Sequence, residues 1–335
     1  MRWVQASMLA LGLAISSAAA QPAPGGDKVT FATNWLAQAE HGGFYQALAD
    51  GTYRRYGLDV SIAPGGPQVD NHILLTGGRI DFYISANSLD AFAGVGRNDS
   101  TVVVGAFFQK DPQALLVHPV KGTEKFTDLK ELTLYLSKEG RATFFQWLRS
   151  EFGFREANVK AYTPDFKAFL SDQRSATQGY VTSEPFVIER TSGLRPRVFL
   201  LADHGFNGYS TLLETRRDMV DTKPGLVQRF VDASIIGWYN YLYGDNSAAN
   251  ALIKRHNPLM TDALIATSVE RMKEYGIVDS GDALRLGIGA MTEARMANFF
   301  DKMAKAGVIR PNLDFRRAYT LRFVNKGVGL ELRKN

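Results

Sequence analysis

The chain predicts an α/β protein of two lobes, with a ligand cleft between them and a helical carboxyl-terminal segment packed back on the first lobe. Three observations carry that expectation. Apolar, β-type runs alternate with helical patterns over roughly the first 200 residues, which argues for parallel sheets covered on both faces. After Tyr209–Glu214 the pattern turns almost wholly helical. Finally, Asn34-Trp35 closes the first apolar run just ahead of a helix opening at Gly42-Gly43. An open α/β sheet presents small-molecule sites at that place, outside the carboxyl ends of its strands.

Taken in order, Val29–Thr33 reads as the first strand, His41–Tyr56 as a helix and Leu58–Ile62 as the second strand. Gln68–Gly77 is a helix, Asp81–Ser85 a strand and Ser88–Gly94 a helix. The β-branched run in Thr101–Phe107 is a further strand. Phe107–Pro112 then crosses to the second lobe. There Ala114–His118, Leu132–Leu136, Val159–Tyr162, Gly179–Thr182 and Val198–Leu201 are strands, interleaved with helices at Arg141–Phe152, Pro164–Ser171 and Glu184–Ser192. Leu201–Tyr209 crosses back. The closing helices are Pro224–Tyr243, Ser247–His256, Asp262–Tyr275 and Thr292–Ala306, with start signals at Thr222-Lys223-Pro224 and Thr261-Asp262. The first lobe is expected to span 28–110 and 206–335, the second 111–205.

Residues 1–20 read as a cleavable signal peptide: Arg2, an apolar Met8–Ile15, then Ala18-Ala19-Ala20 before Gln21. The mature protein is therefore expected to be exported to the periplasm, soluble and monomeric, with cleavage near Ala20. About 315 residues remain, enough for two lobes with real cores. The chain has no cysteine, which excludes disulfides, thiolate metal sites and a catalytic thiol. Its net charge of +5 is scattered without a basic stripe, so no nucleic-acid partner is expected. His41, His72, His118, His204 and His256 show no metal-ligand spacing, and the chain holds no serine-nucleophile elbow or phosphate loop. Neither a cofactor nor a metal is expected, and the reading is a non-enzymatic binding protein.

Five motifs run through the mature chain in order. They are Asn34-Trp35 with His41-Gly42-Gly43-Phe44-Tyr45, then Tyr56-Gly57-Leu58-Asp59-Val60, then Gly77-Gly78-Arg79-Ile80-Asp81-Phe82. Tyr180-Val181-Thr182-Ser183-Glu184-Pro185-Phe186 and Lys223-Pro224-Gly225-Leu226-Val227 follow. On these the chain resembles the periplasmic substrate-binding proteins of ABC importers, in the branch that handles nitrate, taurine and thiamine-pyrimidine precursors. It is most similar to the pyrimidine-precursor binders. The resemblance implies a type II periplasmic-binding-protein fold and capture of a thiamine-related aminopyrimidine for delivery to the transmembrane subunits of an ABC permease. A small anion such as a sulfonate is the alternative solute, and a ligand-presenting sensor module the alternative role. The related pyrimidine synthases carry a reactive lysine, a histidine and a cysteine run; Ser85, Leu89 and Gly205–Ser210 stand at those positions here. That chemistry is not expected.

The resemblance places Trp35 as a stacking platform and Glu184 as the acceptor of an exocyclic amine. Each has an ordinary reading beside it: Trp35 as core, Glu184 as a dipole partner at a helix start. Asn34 and His41 accompany them, His41 equally suiting a helix terminus. Ser85 and Asn87 serve as ligand contacts or as caps of the next helix. Tyr209 offers a second ring or packs the hinge, and Gln109 lies at the first crossing. Arg141, at an expected helix start, would argue for an anion if it faced the cleft.

Overall fold

The computed structural model describes residues 25–66 and 69–333; the expected signal peptide lies outside them. Among the described residues, ten strands form two five-stranded sheets. In chain order they are β1 (Asp27–Ala32), β2 (Leu58–Ala63), β3 (Phe82–Asn87), β4 (Thr101–Phe108), β5 (Gln113–Val117), β6 (Thr133–Leu136), β7 (Val159–Ala161), β8 (Ser175–Tyr180), β9 (Arg197–Leu200) and β10 (Ser210–Arg216). The first sheet has the order β2-β1-β3-β10-β4 and the second β7-β6-β8-β5-β9.

The sheets are mixed rather than wholly parallel. β10 runs antiparallel to β3 and β4, and β5 antiparallel to β8 and β9. The reason is topological. Strands wound by βαβ crossovers all end at the cleft, whereas a strand arriving from the other lobe begins there and must run the opposite way. Local periodicity carries no trace of this.

Three elements depart from expectation. The helix after β1 breaks into Gly42–Ala49 and Thr52–Arg55, because Gly51 takes a left-handed φ of 76°. β8 lies earlier than expected, on the polar-looking Ser175–Tyr180. Its buried hydroxyls find local partners, Ser175 Oγ donating to Asp172 O at 2.6 Å. The expected helix Arg141–Phe152 is two helices, Lys138–Ala142 and Phe144–Phe152, broken at Thr143. Ser137 caps the first, its hydroxyl accepting from Gly140 N at 3.0 Å. Arg141 therefore sits in a last turn, where a cation suits the dipole. It is exposed and paired with Glu156, not turned to the cleft.

The core of the first lobe forms where Gly42–Ala49 crosses the long helix Pro224–Tyr243. Phe44 lies against Phe31 and Phe107, each at 4.8 Å between ring centroids, and edge-on to Trp238. The approach is close enough that a Cβ on Gly42 would overlap the ring of Tyr241, and one on Gly43 the indole of Trp238. Packing, not backbone freedom, requires these two glycines. The carboxyl-terminal segment covers the exposed edge of β4, with Ala106 N donating to Gly289 O at 3.0 Å and Thr320 N to Val103 O at 2.9 Å. Among the described residues, no helix is long and apolar enough to cross a membrane.

This crossing gives a direct expectation. Gly43→Ala overpacks the interface and should cost about 1–3 kcal/mol, lowering the urea midpoint. An unchanged midpoint would contradict the packing described.

Candidate functional site

The carboxyl ends of β1, β3, β6 and β8 converge on a cavity between the two sheets. Its volume of about 50 Å³ exceeds the roughly 10–15 Å³ that one water needs, so it suits a small solute rather than a single solvent molecule. From the first lobe the wall is formed by the segment after β1, including Asn34, Trp35, Gln38, Glu40 and His41. From the second it is formed by the start of helix Lys138–Ala142, by Tyr162, and by the end of β8 with Glu184.

Carboxyl groups dominate the wall. Glu40, Asp111, Glu139 and Glu184 all line it, and no Lys or Arg does. Removal from water penalises each ionised form. Burial pushes Glu40 up to about 7, against a hydrogen bond from Thr182 that works the other way. It pushes Asp111 up to about 7 and Glu139 up to about 8. Glu184 is also raised by burial, and the hydrogen bonds from Ser183 and Tyr180 N oppose that rise. His41 moves the opposite way for the same reason, down to about 4, so its imidazole is neutral.

Aromatic surface faces this acid. Trp35 comes from the first lobe but packs on the second lobe's apolar cluster, with its ring 6.1 Å from that of Tyr162. Two polar bonds also span the cleft. Asn34 Nδ2 donates to Glu139 Oε1 at 2.9 Å, and Thr182 Oγ1 donates to Glu40 Oε1. The lobes are thus held closed. Two buried atoms at the wall have no partner, Glu40 Oε2 and His41 Nδ1.

Of the residues singled out from sequence, Asn34, Trp35, His41, Asn87 and Glu184 line the cavity. Asn87 also caps Ser88–Arg97, its side chain accepting from Leu89 N at 3.1 Å. Glu184 Oε2 accepts from Tyr180 N at 2.6 Å and from Ser183 Oγ at 2.7 Å, a local arrangement at its helix start. Ser85, Gln109 and Tyr209 do not line it. Ser85 is wholly buried within β3. Gln109 donates to Ala290 O at 2.9 Å, bracing the first crossing against the carboxyl-terminal segment. Tyr209 is sealed at the second crossing, donating to Asp282 Oδ2 at 2.6 Å with the Arg295 guanidinium 4.1 Å from its ring centroid. There it packs the crossing against the carboxyl-terminal segment.

Sequence reasoning missed Glu40, Asp111, Glu139 and Tyr162. The signal available was position: Asp111 lies in a crossing, Tyr162 just past β7, and Glu139 just past β6. Thr211 carries no sequence signal. It lines the cavity with φ 50°, a left-handed backbone that a β-branched residue rarely adopts. Among the described residues, no group of three His, Cys, Asp or Glu is placed to hold a metal ion. With its Nδ1 unpartnered, His41 makes no nucleophile–base pair through that atom.

A family described as "NMT1/THI5 like" matches residues 38–247. Many solved structures are similar in fold. The alkanesulfonate-binding protein SsuA from Xanthomonas axonopodis pv. citri, bound to MOPS, has 14% identity and a TM-score of 0.63, covering 89% of this chain and 99% of its own. A Candida albicans gene product, described as exhibiting the generic periplasmic binding protein structural fold, has 12% identity and a TM-score of 0.61, with 88% and 96% covered. The desulfurization enzyme DSZB has 12% identity and a TM-score of 0.56, with 91% and 99% covered. No curated protein sequence matches the chain. The fold is that of the periplasmic binding proteins.

The buried acids make closure sensitive to pH. Opening the cleft returns Glu40, Asp111 and Glu139 toward their ordinary values, so closing at neutral pH takes up protons. Groups raised in the closed form favour it below their ordinary values, and that contribution is lost as pH rises through 7 to 8. His41, lowered by burial, works the other way: closing releases its proton below its ordinary value near 6.5, so it offsets part of the uptake at the low end of this range and little above it. The ligand-free protein should therefore expand between about pH 6.5 and about pH 8.5. Small-angle scattering reads this as a larger radius of gyration; a constant radius would contradict the assignment.

Proposed function

The chain belongs to the NMT1/THI5-like family, and from that premise we propose that it is the solute-binding component of an ABC import system. It captures a small, amine-bearing heteroaromatic solute of the thiamine-pyrimidine class in the periplasm. As a monomer it delivers that solute to the transmembrane subunits of a permease. One observation carries the reading: the cavity is walled by four carboxyl groups and by no cationic side chain. Such a wall favours nitrogen donors and repels anions.

The physical parts fit the class. A flat ring can stack on Trp35 or Tyr162, an interaction worth about 1–3 kcal/mol. Amine nitrogens donating to Glu184 or its neighbours add about 1.5–3 kcal/mol each as charge-assisted hydrogen bonds. Burying both within a closing cleft brings micromolar binding within reach. Asn34 and Asn87 supply neutral donors and acceptors that orient the ring.

A sulfonate or another small anion is the second reading, favoured by the fold it shares with the alkanesulfonate-binding protein. That anion would face the acidic wall with no arginine or lysine to receive it. Arg141, the residue that could have answered, is turned to solvent.

Thermal-shift titration of refolded protein against aminomethylpyrimidines, thiamine, taurine, alkylsulfonates and nitrate tests the reading. Stabilisation should come from the pyrimidines; stabilisation by sulfonates alone would reverse it. A ligand at a hundred times its Kd adds about 2.7 kcal/mol, a shift of a few degrees for a chain of this size. Trp35→Ala should weaken pyrimidine binding by about 1–3 kcal/mol in calorimetry while the fold persists. Wild-type affinity in that variant would remove Trp35 from the site.

A further inference from the structure

The four carboxyl groups at the cavity are not equivalent. Asp111 is tied locally, accepting from Gln113 N at 3.0 Å. Glu184 is tied locally too, through Tyr180 N and Ser183 Oγ, at the start of its own helix. Two others reach across the cleft. Glu139 receives Asn34, and Glu40 receives Thr182 from the opposite lobe.

Of these two, Glu40 alone has an orphan. The residue is 1% exposed, and its Oε2 is buried without a partner, because the nearby Ser183 hydroxyl donates instead to Glu184 Oε2 at 2.7 Å. It stands on the short turn Ala39–His41, directly before the helix Gly42–Ala49. The next residue, His41, leaves its buried Nδ1 unpartnered at the same cavity wall. A buried carboxylate oxygen with nothing to accept from is costly, so the empty acceptor marks a place that a donor is built to fill.

We infer that Glu40 both recognises the solute and couples that recognition to closure: a nitrogen donor of the solute occupies Oε2 while Oε1 holds Thr182 of the opposite lobe. This rests on the amine-bearing reading of the same cavity. The chemical class selected is a solute presenting an amine or amidine N–H. A ring of the same shape without that donor leaves Oε2 unpaired, and closure over it is disfavoured. Glu184 then holds its helix start in place, and Glu40 takes the discriminating role that the family resemblance implied for Glu184. Thr182 is a positioning residue, acting through Glu40.

The test compares 4-amino-5-aminomethyl-2-methylpyrimidine with 2,5-dimethylpyrimidine, its counterpart lacking both amines. Wild type, Glu40→Gln, Glu184→Gln and Thr182→Val are each titrated by calorimetry, with compaction followed by small-angle scattering. Wild type should prefer the amine by about tenfold or more, and Glu40→Gln should reduce that preference to about threefold or less. Thr182→Val should keep the preference while weakening compaction with the amine ligand. Glu184→Gln should also keep it, provided its helix start holds. An undiminished preference in Glu40→Gln overturns the inference while leaving the solute reading intact, and its loss in Glu184→Gln alone returns the role to Glu184. Wild type that binds neither pyrimidine overturns the solute reading and this inference together. Should Glu40→Gln fail to fold, Thr182→Val still decides, because unchanged ligand-driven compaction there would contradict the coupling.

Discussion

Four carboxyl groups share one closed cavity, with no cationic side chain at its wall. In water each would ionise near its ordinary value, but out of water each resists ionising, and neighbouring acids add to that resistance. A closed cleft of this kind is stable when the groups hold protons or when something brings nitrogen donors to them. His41 is neutral for the same underlying reason, its removal from water, and the proposed solute is one that answers this constraint.

The fold delivers the constraint through direction. Strands wound by crossovers end at the cleft in both lobes, so the segments just past β1, β3, β6 and β8 meet there. The returning strands β5 and β10 begin at the cleft and run antiparallel, which ties each lobe to both crossings. The crossings are braced by the carboxyl-terminal segment through Gln109, Tyr209 and Arg295. Hinge motion of two bodies about such crossings is a standard movement for this build.

Much of this architecture is legible in the sequence. Strands such as Thr101–Phe108 and the helix Pro224–Tyr243 announce themselves because burial on one or both faces leaves an apolar pattern. β8 was harder, since Ser175, Thr177 and Gln178 are buried polar residues that look like a loop. Strand direction was not legible, because it depends on which lobe a strand comes from. At the cavity, Asn34, Trp35, Asn87 and Glu184 could be named from strand ends and motifs. Glu40 has no such signal, and position alone marks Asp111 and Glu139, since an acid in a turn or a first helical turn ordinarily caps or faces solvent. Only closure of one lobe on the other turns those three into a wall. Tyr209 and Gln109 sit near the crossings, and sequence position does not distinguish lining a cleft from bracing its hinge.

Identifying the solute that the protein carries when isolated tests the acid-walled reading most directly. Native mass spectrometry of freshly purified protein, followed by denaturation and analysis of what is released, gives its mass and its charge. The expected result is one bound molecule per chain, nitrogen-rich, aromatic and able to carry positive charge. A sulfonate or other obligate anion released in its place would contradict the reading at its foundation.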